Sequence, residues 1–170
     1  METYFEENIR SLQTQASNLG LTNVELLDIR GWTNPREEAE KIKEKIKENK
    51  PVIIIGGMSG ISLSKLSNLH KVSQVDEKKD KAYLQNVVQH YWTQIGEGRL
   101  LLHGDPIGSA AWRTAEMQAI RKSPGVKTVE IDSCMFAGNK RVSSKGPVRF
   151  ITNSSVIERD FMKTAMLRRT

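Results

Sequence analysis

The sequence predicts an α/β fold in which a mostly parallel sheet carries helices on both faces. Apolar runs rich in β-branched residues, such as the one at 52–55, alternate along the chain with segments whose apolar residues recur at helical spacing. Turns rich in glycine or proline follow two of these runs, at 56–60 and 103–106. Such an alternation is typical of strands joined by helical crossovers.

The length of 170 residues, with 38% hydrophobic and 27% charged residues, is typical of one globular domain. We expect a single α/β domain over residues 1–157 and a basic helix or tail over 158–170. No apolar run is long enough to span a bilayer. The acidic segment "METYFEENIR" lacks the apolar core of a signal sequence. We therefore expect an intracellular protein, cytoplasmic or nuclear, without membrane contact.

The charge and the cysteine count bear on partners and compartment. A net charge of +6 favours an anionic partner, nucleic acid first, although solubility alone is the other interpretation. The one cysteine, Cys134, excludes an internal disulfide and a multi-cysteine zinc site, and it favours a reducing compartment. It follows a buried-strand pattern, so we interpret it as a small core residue and expect no metal site.

Local patterns predict the order of the elements. In the first half, we expect a helix over 4–18, a strand over 23–29, a helix that begins at Pro35, a strand over 52–55, a helix through Leu63–Leu69 and a polar loop over 70–81. In the second half, we expect a helix over 84–95, a strand over 100–102, a helix over 110–122, strands over 126–132 and 148–154, and a basic helix from 156 onward.

The two turns, Gly56–Gly60 and His103–Pro106, fall at the ends of neighbouring predicted strands. Right-handed crossovers place both turns at the same edge of the sheet, where ligands bind in α/β folds. Backbone amides of the glycine turn can hold a phosphate there. The glycine spacing fits neither nucleotide-binding pattern, so the glycines can equally serve the turn geometry alone.

A hydrolase grouping of Ser59, His103 and Asp105 is a second interpretation of this edge. A nucleophile elbow has glycine two residues after its serine, whereas residue 61 is isoleucine. Asp105 is also only two residues from His103, an awkward separation for an orienting partner. A histidine at a strand end is more often hydrogen-bonded within the core than catalytic.

Five blocks between Gly20 and Ile157 carry a family resemblance: "LLDIRGW", "GGMSGISLSKLSNL", "GRLLLHGDPIGSAAW", "PGVKTVEIDSCMFAG" and "KGPVRFITNS". In this order they resemble the methyltransferase-like domain of retroelement-type polyproteins, which is similar to cytosine carbon-5 DNA methyltransferases. The resemblance implies a Rossmann-like methyltransferase sheet that lacks the first cofactor-binding strand. Asp28, Gly56 and Gly57 would then be remnants of an S-adenosylmethionine site.

The departures from the family pattern bear on activity. The position of the family's nucleophilic cysteine is Gly60, and the position of its catalytic glutamate is Gly104. A residue without a side chain can neither attack a base nor protonate it. The resemblance therefore implies an inactive domain with no cofactor, whose vestigial catalytic positions are Ser59, Gly60, His103, Gly104 and Asp105.

We expect such a domain to be repurposed for binding nucleic acid or protein, in a mobile-element or virus-like assembly. A homo-oligomer is also possible. Trp32 and Trp112 lie beside turns and can either stack a base or belong to the core. The residues that we expect to contact phosphates are Lys140, Arg141, Lys145, Arg149, Lys163, Arg168 and Arg169.

Two alternatives come from other functional classes. The first is an active S-adenosylmethionine-dependent methyltransferase with a nucleic-acid substrate, completed by a partner chain that supplies the missing cofactor loop. Methylation of an amine or hydroxyl needs mostly positioning and a base, so Gly60 does not exclude it. The second is a protein-interaction scaffold without nucleic acid, which would show no salt-dependent binding to oligonucleotides.

Overall fold

The structure, a computed structural model, describes residues 35–57, 74–132 and 147–166, together with Thr14 and Asn18. The chain divides into two compact units, residues 1–33 and 34–170. In the first unit, Thr14 and Asn18 are helical and exposed, which agrees with the helix predicted over 4–18. All elements named below belong to the second unit.

The described part of the second unit is built from four α-helices, four strands and one short 3₁₀ helix. In chain order these are α1 (Pro35–Asn49), β1 (Ile53–Gly57), α2 (Gln74–Gly96), β2 (Leu100–Pro106), the 3₁₀ helix (Ala110–Arg113), α3 (Ala115–Arg121), β3 (Lys127–Asp132), β4 (Pro147–Thr152) and α4 (Ser155–Met166). Among these described helices, none combines the length and the apolar character that a membrane crossing requires.

Helix α1 forms where the sequence predicts it. Pro35 occupies the first helical position and Glu37 lies in the first turn, where the helix dipole favours a negative charge. Ile42 and Ile46 are one turn apart and both are buried. The helix ends at Asn49. The next residue, Lys50, has a φ of 43° in the left-handed region, and its N–H donates to the Ile46 carbonyl at 3.0 Å.

Helix α2 begins at Gln74, so the prediction of a polar loop over 70–81 is wrong for residues 74–81. These residues are good helix formers, and they extend the amphipathic helix that follows by two turns. Leu84, Val88 and Tyr91, at positions i, i+4 and i+7, are buried as predicted.

The helix predicted over 110–122 divides into the 3₁₀ helix and α3. Thr114 separates the two, because its backbone is extended at φ −67° and ψ 148°. Its Oγ1 accepts a hydrogen bond from the Met117 N–H at 3.3 Å and caps α3. Ser109 caps the 3₁₀ helix in the same way, through Oγ and the Ala111 N–H at 3.3 Å.

The four described strands form a mixed sheet in the order β1-β2-β4-β3. Strands β1 and β2 pair in parallel, whereas β4 is antiparallel to both β2 and β3. The prediction of a mostly parallel sheet is therefore wrong, although the α/β class is confirmed. The physical cause is one reversal: β1, β2 and β3 share a direction, and β4 runs against them from the middle of the sheet, so a single strand makes two of the contacts antiparallel.

Helices lie on both faces of this sheet. Leu101 of β2 and Ile151 of β4 point to one face, where they pack in a buried cluster with α2, the 3₁₀ helix and α3. Phe150 points to the opposite face, because neighbouring strand residues alternate. There its ring centroid lies 4.7 Å from that of Phe161 in α4.

The polar pair Asn153 and Ser154 joins β4 to β2 and α4. The Asn153 Oδ1 accepts from the Leu101 N–H, and its Nδ2 donates to the Arg99 carbonyl, both at 2.8 Å. The Ser154 Oγ accepts from the Ile157 N–H at 3.3 Å and caps α4. These residues serve backbone hydrogen bonding at the beginning of β2 and the beginning of α4.

Candidate functional site

The parallel pairing of β1 and β2 brings the two predicted turns side by side. The register places Gly56 opposite His103 and Gly57 opposite Gly104. The prediction that these residues form turns is wrong, because Gly56 and Gly57 belong to β1, and the whole of His103–Pro106 belongs to β2. Their adjacency is confirmed, and it comes from strand pairing.

His103 lies in a buried polar network with Tyr91 and Asp105. The Tyr91 Oη lies 2.9 Å from the His103 Nδ1, and the His103 Nε2 lies 3.6 Å from the Asp105 Oδ2. The Ser109 hydroxyl extends the network by donating to the same carboxylate oxygen at 3.2 Å. The side chains of His103 and Asp105 are 0% and 1% exposed.

The two-residue separation of His103 and Asp105 places them together. Alternate residues of a strand point to the same face, so both side chains lie on the α2 face of β2. The side chains are close, but the 3.6 Å distance is too long for a hydrogen bond, and the His103 Nε2 has no hydrogen-bond partner among the described residues. The imidazole tautomer sets the direction of the bond between the Tyr91 Oη and the His103 Nδ1: the hydroxyl donates when the ring proton is on Nε2, and it accepts when that proton is on Nδ1.

Burial controls the protonation of the two tyrosines near this network. Tyr91 is fully buried, and desolvation is the main cause that raises its pKa well above 10, with smaller contributions from Tyr83 and Asp105. Desolvation, helped by the charge of Asp105, also raises the pKa of Tyr83 to about 12. The Tyr83 hydroxyl donates to the Gly57 carbonyl at 3.3 Å. Both phenols are therefore protonated at neutral pH.

Trp112 covers the network from the 3₁₀ helix. Its ring meets the His103 imidazole edge to face, with centroids 5.4 Å apart. The side chain is buried, and its Nε1 donates to the Pro106 carbonyl at 2.9 Å. Trp112 is therefore a core residue, and the interpretation in which it stacks a base is wrong. Trp92 of α2 is partly exposed, at 44%.

Close contacts explain two of the glycines at the strand ends. A Cβ at Gly56 would lie 2.1 Å from the Tyr91 Oη, and one at Gly104 would lie 2.5 Å from the Phe150 Cε1. The Tyr91 hydroxyl fills the space that a side chain at position 56 would need, and the Phe150 ring fills that space at position 104. On these sides, Gly56 and Gly104 offer no cradle for a cofactor.

A group of charged residues surrounds the outer side of Trp112. The guanidinium carbons of Arg149 and Arg121 lie 5.5 and 6.0 Å from its ring centroid. The Arg149 Nε donates to the Glu130 Oε1 at 2.8 Å, and its Nη2 lies 2.6 Å from the same oxygen. Arg121 was not among the residues predicted from the sequence. No local motif identifies it, because its neighbours come from other elements.

The predicted phosphate contacts are only partly described. Arg149 belongs to the group around Trp112, and Lys163 is exposed on α4 with its Nζ 3.7 Å from the Asp160 Oδ1. Trp32 and Cys134 lie outside the described residues. The other predicted site residues also lie outside them: Asp28, Ser59, Gly60, Lys140, Arg141, Lys145, Arg168 and Arg169.

Within the described residues, no group of three histidine, cysteine or acidic side chains is arranged to hold a metal ion. The described arrangement is a hydrogen-bonded core with two guanidinium groups beside Trp112. No protein-family model matches the sequence, and neither a curated protein nor a solved structure matches the chain.

Proposed function

We propose that this chain is a methyltransferase-like domain without catalytic activity that binds nucleic acid, in a mobile-element or virus-like assembly. The contact between Gly104 and Phe150 carries the proposal. The resemblance aligns Gly104 with the family's catalytic acid, and the Phe150 ring fills the space that a side chain there would need. This position therefore supports packing between β2 and β4 and cannot present an acid to a substrate.

The burial of His103 and Asp105 supports the same proposal. A general acid or base has to reach hydrogen-bond distance of the proton that it transfers. His103 is enclosed by Tyr91 and Trp112, and its Nδ1 is already occupied by the Tyr91 hydroxyl. A polar network enclosed in this way specifies the packing of α2 on the sheet.

The binding part of the proposal rests on charge. The chain carries 26 basic and 20 acidic residues, and a positive excess favours a polyanion. Arg121 and Arg149 bring two guanidinium groups to one tryptophan. Arginine is also the side chain whose planar fork best matches a phosphate.

Fluorescence anisotropy with labelled oligonucleotides tests this function. Single-stranded DNA, single-stranded RNA and duplex DNA of about 20 nucleotides would be titrated between about 50 and about 200 mM salt. We expect the affinity for at least one of them to fall about tenfold across this range, as about two phosphate contacts require. Absence of binding at the lowest salt would overturn the proposal and favour a protein-interaction scaffold or a homo-oligomer.

Calorimetric titration with S-adenosylhomocysteine tests the inactive character separately. We expect no binding. A dissociation constant at or below about 100 μM would instead favour the active methyltransferase completed by a partner chain. The Asp28→Ala variant is the control, because a genuine cofactor site would lose affinity when the acid expected at the ribose is removed.

A further inference from the structure

Arg121 and Arg149 approach the same ring from different elements. Arg121 lies in the last turn of α3, and Arg149 lies on β4, opposite Glu130 of β3. Arg149 points to the same face of the sheet as Ile151, because the two are alternate residues of one strand. That face also carries α3, so both guanidinium groups lie on one side of the sheet, around Trp112.

Acidic side chains lie beside this pair of arginines. Glu130 is the carboxylate that pairs with Arg149, and its side chain is 48% exposed. Desolvation is the main cause that lowers the Arg121 pKa; the positive charge of Arg149 adds to it, and Glu130 opposes the shift. Asp105 of β2 lies opposite Arg149 on the same face of the sheet, so two acidic side chains accompany the two guanidinium groups.

Arg121 also has an unused hydrogen-bond donor. Its Nε is buried, and no hydrogen-bond acceptor for it is found among residues 35–57, 74–132 and 147–166. The helix dipole favours a cation at the C-terminal end of α3, which explains a positively charged residue at position 121. It does not account for a buried N–H without an acceptor, which costs free energy unless a ligand or water supplies one.

We infer that Arg121 and Arg149 form a binding site for a nucleic-acid phosphodiester, with Glu130 competing for Arg149 when no phosphate is bound. The inference rests on the proposed nucleic-acid function and names the site of contact. A phosphate oxygen supplies an acceptor for the Arg121 Nε, which has none among the described residues. Trp112 holds both guanidinium groups in place through its ring face.

The Arg121→Gln variant tests the site, with Lys47→Gln as its matched control. Lys47 also lies in the last turn of a helix, and the substitution removes the same charge from α1. Anisotropy titration with a labelled single-stranded oligothymidylate would be repeated for each variant over a range of salt. We expect Arg121→Gln to weaken binding by about fivefold and to lower the salt slope by about 0.7, the contribution of one phosphate on a single strand. Lys47→Gln should change the affinity less than about twofold.

Removing the competing carboxylate should have the opposite effect. Glu130→Gln frees Arg149, and we expect it to tighten binding by more than the control Glu48→Gln, which removes an equal charge from the exposed side of α1. Equal effects of these two variants would show that only net charge matters, and would overturn the site.

The outcomes separate this inference from the function on which it rests. Wild-type binding with equal affinities for Arg121→Gln and Lys47→Gln would overturn the site and leave the proposed function standing. No wild-type binding would overturn both. If circular dichroism shows that Arg121→Gln is unfolded, NMR of the wild-type protein replaces the variant, with the Arg121 Nε–H resonance as the probe. A shift of this resonance on adding the oligothymidylate supports the site, and an unchanged resonance overturns it.

Discussion

Gly56 of β1 makes room for the hydroxyl of Tyr91 in α2. A Cβ at position 56 would lie 2.1 Å from the Tyr91 Oη and 3.3 Å from its Cζ, so the ring fits beside residue 56 only when that residue is glycine. This approach lets the hydroxyl reach the His103 Nδ1 at 2.9 Å on the neighbouring strand. One missing side chain therefore positions a hydrogen bond that joins α2 to the sheet.

The first prediction concerns this contact directly. Gly56→Ala should destabilise the protein by about 1–3 kcal/mol, because the fully buried Tyr91 has no free space into which to move. In a Tyr91→Phe background the closest atom is gone, so the same substitution should cost less. Urea unfolding of the two single variants and the double variant measures the coupling. An equal cost in both backgrounds would contradict the steric explanation.

The second prediction concerns the hydrogen bond itself. Tyr91→Phe leaves the buried His103 Nδ1 without its partner, and we expect a loss of about 1–3 kcal/mol in the free energy of unfolding. Tyr83→Phe is the matched control, since its hydroxyl donates to a backbone carbonyl at 3.3 Å in a partly buried place. We expect the control to lose less. A larger loss for Tyr83→Phe would mean that the His103 network is not important for stability.

The third prediction concerns the position aligned with the family's acid. Gly104→Ala should cost about 1–3 kcal/mol, because the new methyl group meets the Phe150 ring at 2.5 Å. Gly96→Ala is the control, because no atom lies within 4 Å of a Cβ there, and we expect it to be neutral or slightly stabilising. Thermal unfolding of both variants measures the difference. If Gly104→Ala behaves like Gly96→Ala, Phe150 can move aside and the proposal of a closed position loses its main support.

The fourth prediction concerns pH. His90 of α2 is buried, and desolvation, followed by the charge of Lys43, lowers its pKa below the ordinary 6.5. The unfolded chain therefore binds a proton more readily than the folded one, so stability should fall as the pH drops below about 6.5. Urea unfolding at pH 7.5 and pH 5.5 measures this loss. We expect His90→Gln to reduce the difference between the two pH values, and an undiminished difference would assign it to other groups.

Much of the local structure followed from the sequence. The spacing of Ile42 and Ile46 predicted which side of α1 is buried, and Leu84, Val88 and Tyr91 did the same for α2. The β-branched runs predicted strands where β1, β3 and β4 form, and the α/β class followed from their alternation with helices. These features depend on residues within one or two turns of each other, so a local pattern contains them.

Element ends and strand pairing were harder to predict. The glycine-rich and proline-containing ends of β1 and β2 resembled turns. Pairing with β2 keeps β1 extended through Gly57, and pairing with β4 keeps β2 extended through Pro106. The direction of β4 depends on which strands it pairs with. Backbone hydrogen bonds between distant segments supply the stabilisation in both cases, and no local preference reveals them.

The sequence by itself determined which residues of each helix and strand share a face, because that depends only on the period of the element. Only the tertiary structure decided which faces meet. It enclosed His103 and Asp105 beneath Trp112, set Phe150 against Gly104 and brought Arg121 near Arg149. Each of these contacts joins segments that are far apart in the chain. The packing of helices on a mixed sheet therefore turned a predicted site at two strand ends into a closed core with an arginine pair at its outer side.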